Sequence, residues 1–164
     1  MRSKESGMSE MKDMMTRKIF LDVCMGIEKL CAELYHCYSK IYADIPEACS
    51  FWKKAALDKE NLRKQYEVLL RLLNEIEFDV SADSLKRAYC IQNQLLKLLE
   101  HTRNSKPDLT TAFSKSAEIE GSLEDMHAHA SISGKIPCAS CSRYWTKLSI
   151  PMLTLRNVTP SIFM

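Results

Sequence analysis

Apolar residues that recur every three or four positions are the feature that most limits what this chain can fold into. Such a spacing places apolar side chains on one face of a helix. The pattern runs through four segments, at about residues 16–43, 46–76, 85–103 and 107–133. With only four glycines and five prolines, the chain is also poor in the residues that a turn-rich β protein needs. The sequence therefore predicts an all-α protein with four amphipathic helices.

The apolar face of each helix must be covered by the other helices, because the connections between them are short. The expected core positions, in chain order, are Phe20, Val23, Ile27, Leu30, Leu34, Tyr38, Ile41, Trp52, Ala55, Ala56, Leu62, Tyr66, Leu69, Leu73, Leu85, Ala88, Tyr89, Gln92, Leu95, Leu96, Leu99, Leu109, Ala112, Phe113, Ser116, Ile119, Leu123, Met126 and Ala130. An antiparallel four-helix bundle is the arrangement that buries all four faces. The same spacing places Lys59 in the middle of the second apolar face, where an ammonium needs a partner.

The length of 164 residues corresponds to about one domain. We divide the chain into an N-terminal arm at 1–15, the bundle at 16–133 and an irregular tail at 134–164. The arm is polar enough to be either mobile or an irregular extension of the first helix. No helical or strand period persists through the tail, which contains the pair Cys138-x-x-Cys141.

Charge and hydropathy narrow the classes of partner. The 23 basic and 21 acidic residues give a net charge of +2, so we expect no nucleic-acid partner. No apolar run approaches the roughly 20 residues that span a bilayer, and residues 1–17 are too polar for a signal peptide. We therefore expect a cytoplasmic protein without a membrane partner. The odd number of cysteines, with Cys24, Cys31 and Cys37 at helical core positions, favours reduced thiols over disulfides.

Three short motifs carry a resemblance to a known family. In the first helix Glu28 is followed three positions later by the small residue Cys31 and seven positions later by Tyr35. Residues 51–62, FWKKAALDKENL, place an aromatic pair ahead of a charged helical stretch, and residues 117–127 read AEIEGSLEDMH. Together these motifs resemble the rubrerythrin branch of the ferritin-like family.

The resemblance covers about residues 17–131 and implies a ferritin-like bundle with a di-iron site in its core. In that family a Glu and a His three positions apart project from one helix to bind iron. The aligned positions here are Lys59 and Leu62, neither of which can bind a cation. Gln92 and Gln94 stand near the place of a bridging Glu. The resemblance therefore implies a degraded di-iron site.

The fourth helix keeps a Glu-x-x-His pair, Glu124 and His127, and Glu120 competes with Glu124 for the inward position. With Glu28 these residues form the candidate metal-ligand set that remains. Two or three ligands stand where about six belong in this family. We therefore expect no cofactor, with iron or another divalent metal in the bundle core as the alternative.

Lys59 suggests a different use of the same position. Its ammonium can face Glu28 across the first two helices and form an ion pair in place of the metal, because a buried carboxylate without a cation is costly. The alternative is that Lys59 extends past Leu62 to solvent while Glu28 lies at the rim.

Cys138 and Cys141 have the spacing of half a zinc site or of a redox dithiol. A tetrahedral zinc site needs two more ligands, so a zinc knuckle, an oxidisable pair and plain thiols all remain open. Catalytic triads and glycine-rich phosphate loops are absent from the sequence.

Two classes of function follow. The first is a non-catalytic binding or structural protein whose bundle has lost its metal. The alternative is a divergent rubrerythrin-like oxidoreductase or metal-binding protein. The loss of a whole Glu/His pair favours the first, and the resemblance also implies a homodimer.

Overall fold

The computed structural model describes residues 2–76 and 78–129, with side chains at 7–76 and 78–126. Its elements are the helices α1 (Arg2–Ile41), α2 (Pro46–Arg71), α3 (Ala82–Asn104) and α4 (Leu109–His129). Within these ranges there are four helices and no strand, which confirms the all-α class. The tail at 134–164 lies outside the described residues.

Helix α1 is 40 residues long and begins at Arg2, so the segment that the sequence separates as an arm is helical from that residue onward. Between Arg2 and Ile41 the chain contains no proline, and its two glycines, Gly7 and Gly26, each cost a helix only about 1 kcal/mol. The first fully buried residue of α1 is Phe20. Residues 7–15 of α1 therefore form an exposed helical extension.

The ends of the other helices follow from their local chemistry. Pro46 occupies the first turn of α2, where its missing N–H costs nothing. The Ser81 hydroxyl accepts a 3.0 Å hydrogen bond from the Ser84 amide and caps α3. At the start of α4 the Asp108 carboxylate accepts a 2.8 Å hydrogen bond from the Thr111 amide.

Helix α2 ends at Arg71, earlier than the expected limit near Ile76. Residues 72–75 form turns instead. Leu73 and Ile76 are nevertheless buried, because the chain folds back over the core as it leaves the helix. The apolar spacing that predicts α2 therefore continues beyond the last residue of that helix.

The core is built where α1 packs against α2 and α3, and α4 packs against α3. Trp52 of α2 lies at its centre, with ring centroids 5.3 Å from Tyr35, 4.8 Å from Tyr38 and 4.9 Å from Phe113. These contacts join α1, α2 and α4 through one aromatic cluster.

Two expected core residues of α3, Tyr89 and Leu96, are exposed. The buried face of α3 instead follows Ala88, Ile91 and Leu95, and it is narrower than the apolar stripe in the sequence. None of the helices in the described residues is both long enough and apolar enough to cross a membrane.

Candidate functional site

The first residue of the candidate site is a lysine on the buried face of α2. Trp52, Ala56, Leu62 and Tyr66 of α2 are buried, and Lys59 lies on the same face with 4% of its surface exposed. Transferring a charged ammonium to a medium of low dielectric constant is costly unless oppositely charged or polar groups surround it. The position of Lys59 therefore requires acceptors inside the protein.

Two carboxylates from different helices supply those acceptors. The Lys59 Nζ atom donates a 2.8 Å hydrogen bond to Glu120 Oε2 and lies 2.8 Å from Glu120 Oε1. It lies 3.3 Å from Glu28 Oε2, an oxygen that has no hydrogen bond of adequate geometry. Glu28 is 2% exposed and Glu120 is 6% exposed. The ammonium is thus held mainly by α4 and approached by α1.

Tyr35 completes the arrangement. Its hydroxyl donates a 2.6 Å hydrogen bond to Glu120 Oε1, and the side chain is buried in the core. Glu120 therefore has one donor from α1 and one from α2. We call Glu28, Tyr35, Lys59 and Glu120 the buried charge cluster.

The charges in the cluster do not balance when both carboxyl groups are ionised. Burial raises the pKa of Glu28, and the nearby Glu120 raises it further, although the Lys59 ammonium opposes both effects. Burial alone would lower the pKa of Lys59, but Glu120 and Glu28 outweigh it and hold that pKa above its ordinary value. The environment therefore favours a charged Lys59 and opposes the ionisation of Glu28.

The groups around the cluster remain neutral. Burial raises the pKa of the Cys31 thiol and of the Tyr35 hydroxyl well above their ordinary values, and the neighbouring carboxylates add to both shifts. Burial likewise raises the pKa of Tyr66, whose hydroxyl is hydrogen-bonded to the Cys24 thiol. Around the cluster, these four groups contribute neither a thiolate nor a phenolate at neutral pH.

The structure brings together some of the residues that the sequence singled out. Glu28, Lys59 and Glu120 meet in the interior, whereas Glu124 is exposed and is not part of the cluster. His127 lies in α4, but its side chain is outside the described residues. Cys138 and Cys141 also lie outside them. Glu28 and Glu120 are therefore the two candidate metal ligands that the described structure places side by side.

The residues of the cluster do not fit a di-iron centre. An ammonium stands within hydrogen-bonding distance of the carboxylate that would bridge or bind a metal, and it repels a second cation at that place. In the described part of the chain, no three His, Cys, Asp or Glu residues are grouped so that they could hold a metal ion. Neither the ligand count nor the local charge matches the site that the resemblance implies.

Comparisons with known proteins identify no relative of this chain. No protein-family model, no curated protein sequence and no solved structure matches this chain. The function of the protein is therefore inferred from the geometry of the buried charge cluster and from the surfaces of the helices.

Sequence reasoning did not assign Tyr35 its place as a donor to Glu120. Tyr35 follows Glu28 by seven positions, about two helical turns, so the two side chains share one face of α1. That spacing was a usable signal. The choice between Glu120 and Glu124 depends on the rotation of α4, in which Ser116, Ile119 and Leu123 are buried.

Proposed function

We propose that the chain is a ferritin-like antiparallel four-helix bundle in which Lys59 takes the place of a core metal ion, and that it acts as a non-catalytic binding or structural protein. The observation that carries the proposal is the Lys59 ammonium buried between Glu28 and Glu120. A cation is supplied there by the chain itself.

Contacts at both ends of the helices support the antiparallel arrangement. Near the end of α1, the Tyr42 hydroxyl donates a 2.6 Å hydrogen bond to the carbonyl of Pro107, just before α4. At the other end, Arg87 near the start of α3 and Asp125 near the end of α4 line one cavity. Such pairings are those of neighbouring helices that run in opposite directions.

The ammonium can replace a metal ion because it supplies positive charge to the same buried carboxyl groups. Two buried carboxyl groups without a cation would repel each other and would lose their hydration without compensation. The Lys59 ammonium and the Tyr35 hydroxyl meet that need in this chain. The arrangement joins α1, α2 and α4 without a bound cofactor.

The burial of the cluster favours a structural role over a catalytic one. Tyr35, Lys59, Glu28 and Glu120 are all within the core, so a substrate would have to separate the helices to reach them. A general base also works best with a pKa near the working pH, whereas the surroundings of Lys59 hold its pKa above the ordinary value. We therefore place function on the surface of the bundle.

The test is the metal content of the full chain. Protein purified without added metal, and again after anaerobic loading with Fe(II), is analysed for bound metals beside the variants Glu28→Ala and Glu100→Ala. Glu100 is an exposed residue of α3 and serves as the control. We expect no retained iron in any of the three proteins. Near-stoichiometric iron that is lost only in Glu28→Ala would overturn the proposal and favour the oxidoreductase alternative.

The proposal includes a homodimer, which the family resemblance implies. Helix α3 presents Tyr89 and Leu96, seven positions apart and both exposed, on a side that its contacts with α1 and α4 leave open. Sedimentation of the full chain should give the mass of a dimer. In that case Leu96→Lys should shift the mass toward the monomer, while Leu57→Lys, at an exposed position of α2, should not.

A further inference from the structure

The most exposed apolar surface of α1 is formed by methionines near its beginning. Met8, Met11 and Met15 are 68%, 67% and 65% exposed, and Met14 adjoins them. At 100° per residue these four positions fall within about 120° of the helix circumference. We call them the methionine face. Methionine side chains adapt to irregular apolar partners, so such a face is suited to binding a segment without regular shape.

The methionines belong to the part of α1 that passes the connection between α2 and α3, and they lie on the opposite side of the helix from the residues that contact this connection. The Arg17 guanidinium donates a 3.1 Å hydrogen bond to the carbonyl of Ile76. Asp13, Thr16 and Arg17 also line a cavity with residues 78–81 of that connection. The exposed methionines therefore start where this connection closes one end of the helical core.

The chain leaves α4 at the same end. Helix α3 begins at Ala82, directly after the connection, and Arg87 and Cys90 in its first turns line a cavity with Ser122 and Asp125 of α4. Asp125 lies one turn before the end of α4 at His129. The residues that follow α4 therefore begin at the end of the bundle from which the methionine-bearing part of α1 projects.

We infer that the C-terminal segment, residues 130–164, docks on the methionine face. Of its 35 residues 17 are apolar, among them Trp145, and its four charged residues are all basic. The segment thus offers apolar side chains that can cover the methionines.

Length permits this contact. The 16 residues from Ala130 to Trp145 can span about 50 Å when extended. The stretch of α1 from Arg2 to Met15 is about 20 Å long at 1.5 Å per residue. The segment can therefore reach any point of the methionine face.

Tethering favours this occupant over a second copy of the chain. A segment joined to the protein meets its own binding face at an effective concentration of about millimolar. A second copy competes only at its actual concentration. An intramolecular contact therefore prevails in dilute solution.

Photo-crosslinking in the full chain tests the inference. A benzoylphenylalanine residue is introduced at Met11 and, as a matched control, at Leu57, an exposed position of α2. After irradiation, monomer and dimer bands are separated and the cross-linked peptides are identified by mass spectrometry. We expect the Met11 probe to label residues 130–164 in the monomer band, with a yield that does not change on tenfold dilution, and the Leu57 probe to label them much less.

Three results would overturn the inference. Labelling confined to the dimer band, and lost on dilution, would assign the methionine face to a second copy. Equal labelling from Met11 and Leu57 would mean that the segment has no preferred contact. A Met11 probe that labels no peptide of residues 130–164 would leave the segment without this docking site.

Discussion

The Lys59 ammonium and the Glu120 carboxylate are joined by a 2.8 Å hydrogen bond at a place where both side chains are withdrawn from water. Lys59 comes from α2 and Glu120 from α4. The pair therefore connects two helices through residues that are 61 positions apart in the chain. Glu28 of α1 lies on the other side of the ammonium. Because no partner in this group can easily exchange its contact for water, substitutions here have large and separable effects.

Replacing Lys59 with methionine, a residue of similar length without charge, should lower the free energy of unfolding by about 3–5 kcal/mol, because two buried carboxyl groups lose their cation. Urea denaturation at pH 7 measures the change. Lys97→Met, at an exposed position of α3, should stay within about 0.5 kcal/mol of the parent protein. A loss below about 1 kcal/mol for Lys59→Met would contradict the assigned role of the ammonium.

Tyr35→Phe removes only the hydroxyl that donates to Glu120 Oε1. We expect a loss of about 1–3 kcal/mol in the free energy of unfolding, since a buried carboxylate oxygen is left with one donor fewer. Thermal or urea denaturation provides the value. Tyr89→Phe, which removes a hydroxyl from an exposed side chain, is the matched control. Equal effects of the two substitutions would argue against the bond to Glu120.

The stability of the protein should depend on pH through Glu28, because burial raises the pKa of Glu28 in the folded state above the ordinary value of 4.5. Between the unfolded and folded pKa values the native state holds a proton that the unfolded state has lost. The contribution of Glu28 is therefore complete below the unfolded pKa and decreases as the pH rises through the folded pKa.

Glu28→Gln mimics the protonated carboxyl group and should remove this dependence. We expect the difference in unfolding free energy, variant minus parent, to rise from about pH 4.5 upward, with a slope of at most about 1.4 kcal/mol per pH unit. Denaturation at a series of pH values tests this, and a difference that is constant from pH 4.5 to pH 8 would show that Glu28 is ionised throughout. Lys59, Glu120, Cys31 and Tyr35 are the titratable neighbours that remain in both proteins.

Lys59→Ala should convert the cluster into a site that responds to divalent cations. The substitution leaves Glu28 and Glu120 facing each other across the space of the ammonium. Binding of Mn²⁺ to the folded state should then raise the melting temperature with increasing metal concentration. The parent protein should show no comparable rise, and equal responses in both would place the metal elsewhere.

The two mid-helix glycines should respond differently to alanine. A Cβ atom at Gly121 meets nothing within 4 Å, so Gly121→Ala should stabilise the protein by about 0.5–1 kcal/mol through helix propensity alone. At Gly26 a Cβ atom would lie 2.7 Å from Gln92 Nε2 of α3, and the amide must move. Gly26→Ala should therefore gain less, as measured by chemical denaturation. A larger gain at Gly26 would contradict the close approach of α1 and α3.

The sequence predicted the presence of the four helices more accurately than the residues at which they end. Pro46, Ser81 and Asp108 mark helix starts by chemistry that acts within one turn, so those boundaries could be read from the chain. The end of α2 could not, because Leu73 and Ile76 continue the apolar pattern after the helix has ended. Burial alone does not distinguish a helix from a turn that folds over the core.

Part of the candidate site was also visible in the sequence. Lys59 stands out because helical periodicity puts a charge among apolar residues, and Glu28 shares a face with Tyr35. The partner that holds Lys59 most closely was not determined by those patterns. Glu120 and Glu124 are one turn apart, and a small rotation of α4 decides which of them is buried.

The sequence by itself determined the class of fold, the four helical segments and the presence of an inward lysine, because these depend on the periodicity and chemistry of residues near one another in the chain. Only the tertiary structure decided that Lys59 meets Glu120 as well as Glu28, that Tyr35 donates to the same carboxylate, and that Tyr89 and Leu96 remain exposed. The physical reason is that these contacts depend on the relative rotation and depth of whole helices, which are set by packing among residues far apart in sequence.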